Sequence, residues 1–186
     1  MCSSQVCVLI ALAACGPSAE EPGEAGPMGA MGTMGLPGPA GPGALLGEVT
    51  GTGQLAVSPS TTQPALIPGL TMTIDVPAGA VLNLHTDGGL QCTGTGTAFS
   101  AVDIELFIDG LESTAARRVV AANTTGVAQM IANWSFSRTF TVVAGSHTVE
   151  VRVVSGDPGS AVANVSSEAA PQLQGVLTAT VFQPAP

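Results

Sequence analysis

Histidine, cysteine and carboxylate side chains are the groups from which a catalytic or metal site is built, and this chain holds few of them. It has two histidines, His85 and His147, four cysteines of which only Cys92 lies beyond residue 15, and thirteen carboxylates. His85-Thr86-Asp87 with a distant His147 offers ligands to a metal, yet nothing stands at the short fixed spacings of known ligand motifs. Ser146-His147 beside an Asp is a fragment of a nucleophile–base triad, which is defined by geometry and not by adjacency. Asp103, Glu105, Asp109 and Glu112 gather near the end of one alternating run, where calcium would find oxygen ligands; a solvated strand face accounts for them more simply. Both histidines are expected at strand ends beside turns, and Cys92, without a partner for an intrachain bridge, as a buried apolar thiol. Asn123-Thr-Thr, Asn133-Trp-Ser and Asn164-Val-Ser fit the N-glycosylation pattern by coincidence, and Arg117-Arg118 reads as a solvated turn pair. The expectation is no catalytic residue, no metal and no cofactor.

The elements that would position these groups are strands. Lysine is absent, the four cations are all arginines, and the net charge is −9, which argues against nucleic acid and against anionic membrane surfaces as electrostatic partners. With no tyrosine and one tryptophan, any core is built from Val, Ile, Leu and Ala. From about Glu48 to Pro186 apolar and polar residues alternate in short runs broken by Gly, Pro, Asn or Asp, the pattern of strands and turns. The clearest runs are Leu70–Val76, ended by Pro77-Ala78-Gly79; Val81–Thr86, ended by Asp87-Gly88-Gly89; Val102–Ile108, ended by Asp109-Gly110; the face carrying Trp134, Phe136, Phe140 and Val142, interrupted by Arg138; Val149–Val153 after Ala144-Gly145-Ser146; and a last run with Leu173, Leu177, Ala179 and Val181. Weaker strands fall near 51–57, 118–122 and 161–166. Eight to ten strands at this spacing predict an all-β sandwich over residues 48–186, long enough to bury an independent core.

Ahead of it, glycine stands at 23, 26, 29, 32, 35, 38 and 41 without a break in phase. Three polyproline-II chains wind together only when every third residue is glycine, because nothing larger fits at the axis. Residues 23–43 thus resemble the collagen-like repeat, with Gly23, Gly26, Gly29, Gly32, Gly35, Gly38 and Gly41 as axial residues. Of the other positions Pro27, Pro37, Pro39 and Pro42 alone are proline, and Met28, Met31 and Met34 are flexible apolar fillers. So short and imino-poor a repeat needs another part of the chain to hold three copies in register. Wound, it would make a stalk about 60 Å long; unwound, it would be a flexible glycine/proline spacer.

Residues 1–14 carry an apolar run too short to cross a bilayer that ends in small residues, as an export signal does. Leu12-Ala13-Ala14-Cys15 resembles the lipobox of bacterial lipoproteins, in which cleavage precedes the cysteine and its thiol takes a diacylglycerol. That resemblance implies Cys15 as the acylated mature N-terminus, residues 15–22 as a tether, and, from Gly16, sorting to the outer membrane, exposed at the surface or facing the periplasm. No Lys or Arg precedes the apolar run, and a plain secretion signal cut near Ala14 is the alternative.

Signal, collagen-like stalk and β head together resemble the collagen-plus-jelly-roll arrangement of the complement and tumour-necrosis-factor superfamily. Within the head, Trp134–Val153 carries the likeness, an aromatic strand, a glycine turn and a valine strand, a pattern that immunoglobulin-like sandwiches share. The resemblance implies a jelly-roll-type antiparallel β-sandwich that trimerises and sets the register of the stalk. The expected protein is a membrane-anchored homotrimer with a structural or adhesive role and an extracellular protein or glycan as partner. The alternative is a carbohydrate- or ligand-binding sandwich on a flexible spacer.

Overall fold

The computed structural model describes residues 44–183. Cys15 and its lipobox, the tether and the axial glycines lie outside them. The described residues form ten strands and no helix: β1 (Ala44–Thr50), β2 (Leu55–Val57), β3 (Ala65–Val76), β4 (Val81–Cys92), β5 (Phe99–Ile108), β6 (Leu111–Ala122), β7 (Ile131–Phe140), β8 (Gly145–Ser155), β9 (Ala163–Val165) and β10 (Val176–Phe182).

Eight of them pair as nested antiparallel couples. β5 joins β6 through Asp109-Gly110, whose φ angles of +53° and +74° make the primed turn that Asp-Gly favours. Around that hairpin β4 pairs β7, then β3 pairs β8, then β1 pairs β10. Cross-pairs β10–β4 and β8–β5 roll this nest into two sheets, β1-β10-β4-β7 and β3-β8-β5-β6. Such nesting is the jelly roll, so the strand order excludes the immunoglobulin alternative. Short β2 and β9 continue the lines of β1 and β10, with β9 pairing both β2 and the far end of β4.

The alternation places the core as expected. Leu82, Leu84 and Leu90 of β4, Ile104 and Leu106 of β5, Val149, Val151 and Val153 of β8, and Leu177, Ala179 and Val181 of β10 are inaccessible between the sheets. Each such leucine, isoleucine or valine contributes about 1.5–3 kcal/mol through burial. Cys92 is buried too, its thiol 3.6 Å from the Ala98 carbonyl.

Four local expectations change. The first strand begins at Ala44, ahead of the boundary near 48, because residues 44–50 find the edge of β10. Asp87-Gly88-Gly89 does not end a strand; β4 runs through it to Cys92. Gly88 is there because Trp134 lies on it, and a Cβ would stand 2.3 Å from the indole Cζ2. Leu173 is buried but precedes its strand. Arg117-Arg118 is in mid-β6, one residue on each face, and not in a turn.

The two ends of the sandwich differ. Turns 77–80, 109–110 and 141–144 share one end with Ala44 and Phe182, so the chain enters there; the longer connections 58–64, 93–98, 123–130 and 156–162 occupy the other.

Candidate functional site

The residues singled out for chemistry are scattered. His85 lies in the middle of β4, not at a strand end, on the outer face of its sheet, and its ring nitrogen is 3.3 Å from Asp87. His147 belongs to the opposite sheet, so the imagined metal pair is divided. Among the described residues no three His, Cys, Asp or Glu side chains come within reach of one ion. Asn123 is buried, with its amide spanning the Gly94 carbonyl and the Met130 N–H.

His147 does sit beside a turn, and it locks that turn. Its Nδ1 is 2.7 Å from Asp109 Oδ2 and its Nε2 is 2.8 Å from the Val143 carbonyl. Both neighbours are acceptors, whereas a neutral imidazole has one N–H, so only the doubly protonated ring makes both bonds at once. The Asp109 bond, and next the Val143 carbonyl, raise the His147 pKa above its ordinary value. Asp109, bonded by His147 and by the Thr148 N–H, is correspondingly lowered. Ser146 takes no part in these bonds, so the triad fragment has no nucleophile in line.

The acidic cluster is likewise taken apart by the sheet. Asp103 makes a bidentate pair with Arg118, at 2.9 and 2.8 Å. Glu105 is 8% exposed and its Oε2 has no hydrogen-bond partner. That corrects the solvated-face expectation: β5 is an inner strand, and long side chains of β6 and β8 flank its outer face. Loss of solvation, followed by the nearby Glu112 and Asp103 charges, raises the Glu105 pKa.

A built recess occurs instead where β6 and β7, each the last strand of its sheet, run side by side. Directly opposed residues of an antiparallel pair share a face. Arg117 opposes Ile104 and Arg138 opposes Leu84, both of them core residues. Each edge strand therefore places an arginine at a core-facing register position. The Arg117 guanidinium lies 5.7 Å from the centre of the Phe136 ring, within cation–π range. Arg117 and Arg138 line one pocket of about 50 Å³ with the hydroxyl-bearing Thr114 and Ser137. From it a cleft of about 340 Å³ continues past Asn133 and Ser135, and further to Gln172 and Gln174. Trp134 forms its floor, buried on Gly88 with its indole N–H donating to Thr86 Oγ1 at 3.2 Å. In the sequence Arg138 interrupts an apolar face, and that interruption is the signal of the recess, which spacing alone does not reveal.

No family model matches this chain, and no curated protein does. Solved structures similar to it include the VP2 subviral particle of infectious bursal disease virus, with 12% identity and a TM-score of 0.40 over 75% of this chain and 33% of that one. The chain thus spans about a third of the viral protein. The globular domain of zebrafish complement 1qA gives 10% identity and a TM-score of 0.32 over 75% and 96% of the two chains. A family 35 carbohydrate-binding module from Clostridium thermocellum gives 12% and 0.29 over 78% and 100%. At these values the fold rests on the strand pairing itself.

Proposed function

We propose that the chain is a surface-anchored bacterial lipoprotein, acylated at Cys15, whose copies wind residues 23–43 into a three-stranded stalk carrying jelly-roll heads. Its role is structural or adhesive, not enzymatic. The observation that supports this most is where the chain enters the sandwich. The repeat runs to Gly43 and β1 opens at Ala44, at the short-turn end, leaving the long connections at the end farthest from the stalk's attachment. A head that meets a partner through its loops needs that polarity. Trimerisation of the heads would supply the register that an imino-poor repeat lacks. The single indole is spent on Gly88 inside the sandwich, which leaves sugar stacking without its best platform.

The test is the solution mass of the detergent-extracted mature protein, read with the mass spectrum of its N-terminal peptide. A trimer with collagen-type circular dichroism that Gly32→Ala abolishes supports the reading, as does a diacylglyceryl thioether on Cys15. A monomer without that dichroism leaves residues 23–43 as a spacer and defeats the stalk. An unmodified N-terminus cut elsewhere defeats the anchor.

A further inference from the structure

All four arginines of the chain are among the described residues, and two have carboxylate partners: Arg118 with Asp103 and Arg152 with Glu150, each at 2.8 Å. The two without a carboxylate partner among the described residues, Arg117 and Arg138, are the two that line the same pocket. In a protein of net charge −9, this recess offers an anion two guanidinium groups without carboxylate partners among the described residues. A carboxylate matches that group as a planar, two-pronged acceptor.

The recess also has a direction. The groove follows β7 from Arg138 to Asn133, about 17 Å at the rise of a strand. β7 pairs only with β4, so its other edge offers main-chain N–H and C=O groups in the spacing that an extended chain would pair. A sugar would find little to stack on, since Trp134 is buried and Phe136 is both buried and covered by Arg117.

We propose that the groove between β6 and β7 docks an extended acidic segment of a partner protein. The segment adds as a strand to the free edge of β7 and places a carboxylate between Arg117 and Arg138. This goes beyond the stalked-head reading and does not depend on it. Inward-pointing charges also guard edges against unwanted pairing, and the experiment separates the two roles.

The probe is a fluorescein-labelled nine-residue peptide of alternating threonine and glutamate, with a threonine/glutamine peptide as control. Binding to the mature full-length protein is read by anisotropy, and protection of β7 amides by hydrogen exchange. The glutamate peptide is expected to bind and to protect residues 131–140, the glutamine peptide to bind at least tenfold more weakly. R117Q and R138Q should each weaken the glutamate peptide by about tenfold or more, as loss of a charge-assisted bond does. R117K and R138K, which keep the charge and lose the fork, should fall between; they serve if a glutamine variant fails to fold by circular dichroism. No binding, equal binding of both peptides, or binding unchanged in the R117Q/R138Q double variant overturns the proposal. So does aggregation of the double variant without peptide binding by wild type, which assigns the arginines to edge protection. Arginine-dependent binding of tetragalacturonate without the peptide also overturns it, in favour of an anionic glycan. A change of oligomer mass in solution in the double variant, without peptide binding by wild type, overturns the proposal by making the groove a contact between copies and leaves the stalked head standing.

Discussion

The two open sides of the sandwich are closed by opposite means. Along β1 and β3 the sheets come together. Gly47 has no side chain where Met72 approaches, so that a Cβ there would lie 3.1 Å from Met72 Sδ. A backbone bond from the Thr52 N–H to the Pro68 carbonyl, 3.0 Å, ties the two edges. Along β6 and β7 no such tie exists among the described residues. Trp134 and Phe136 fill the inner half of that side, and Arg117 and Arg138 occupy register positions where apolar residues would have finished the core. The contrast teaches that a jelly roll needs apolar closure along both sides but not to the same depth. Where closure stops short, the last core-facing positions become the wall of a recess.

The largest expected effect is on the open side. Trp134→Ala empties the space above Gly88 and removes the indole donor from the Thr86 hydroxyl, which keeps its own bond to the Val176 carbonyl, and should lower the unfolding free energy by about 3–5 kcal/mol, the usual cost of such a truncation. Urea denaturation followed by far-ultraviolet circular dichroism measures it. A loss under about 1 kcal/mol would mean that Trp134 does not close this side.

A smaller effect is expected on the joined side. Gly47→Val puts γ-carbons against Met72 and should cost about 1–3 kcal/mol by overpacking. Met72→Ala in the same chain should recover part of it. If Gly47→Val is neutral, the two edges are less closely packed than the comparison holds.

The smallest effect sharpens the comparison at the turn end, where His147 joins the β7–β8 connection to the β5–β6 turn. The folded-state pKa of His147 is raised, so its contribution is complete below the unfolded value of about 6.5 and is lost as pH rises through the higher folded value. Asp109 is lowered, so its share is present above about 3.9 and lost as pH falls through its folded value. Urea midpoints should therefore decline in wild type as pH rises from about 6.5 upward and stay level there in His147→Gln. A wild-type midpoint that is flat across that range would remove the charged lock.

Much of this was legible because it is local. Alternation along β5 and β8 named the core residues, since a strand turns successive side chains to opposite faces, and Asp109-Gly110 named its turn because few residue pairs accept positive φ in succession. Gly88 misled for the same reason: a glycine next to an aspartate reads as a turn until a tryptophan from β7 is laid across it. β1 went unread because Ala44-Leu45-Leu46-Gly47 hardly alternates and acquires strand structure from β10. Glu105 looked solvated because acidic residues usually are, and only the strand order places it on an inner strand.

By itself the sequence determined the phase of the glycine repeat, the run that ends at Cys15, the strand-rich composition and the inward and outward sets of the strongest strands. Each depends on spacing within a few residues, where covalent geometry alone decides. Tertiary structure decided the nesting that makes the sandwich a jelly roll, the two acceptors that flank His147, the burial of Glu105 and the meeting of Arg117 with Arg138. These depend on which strands become neighbours, and that follows from burying every apolar face at once, a condition on the whole chain that no short stretch contains.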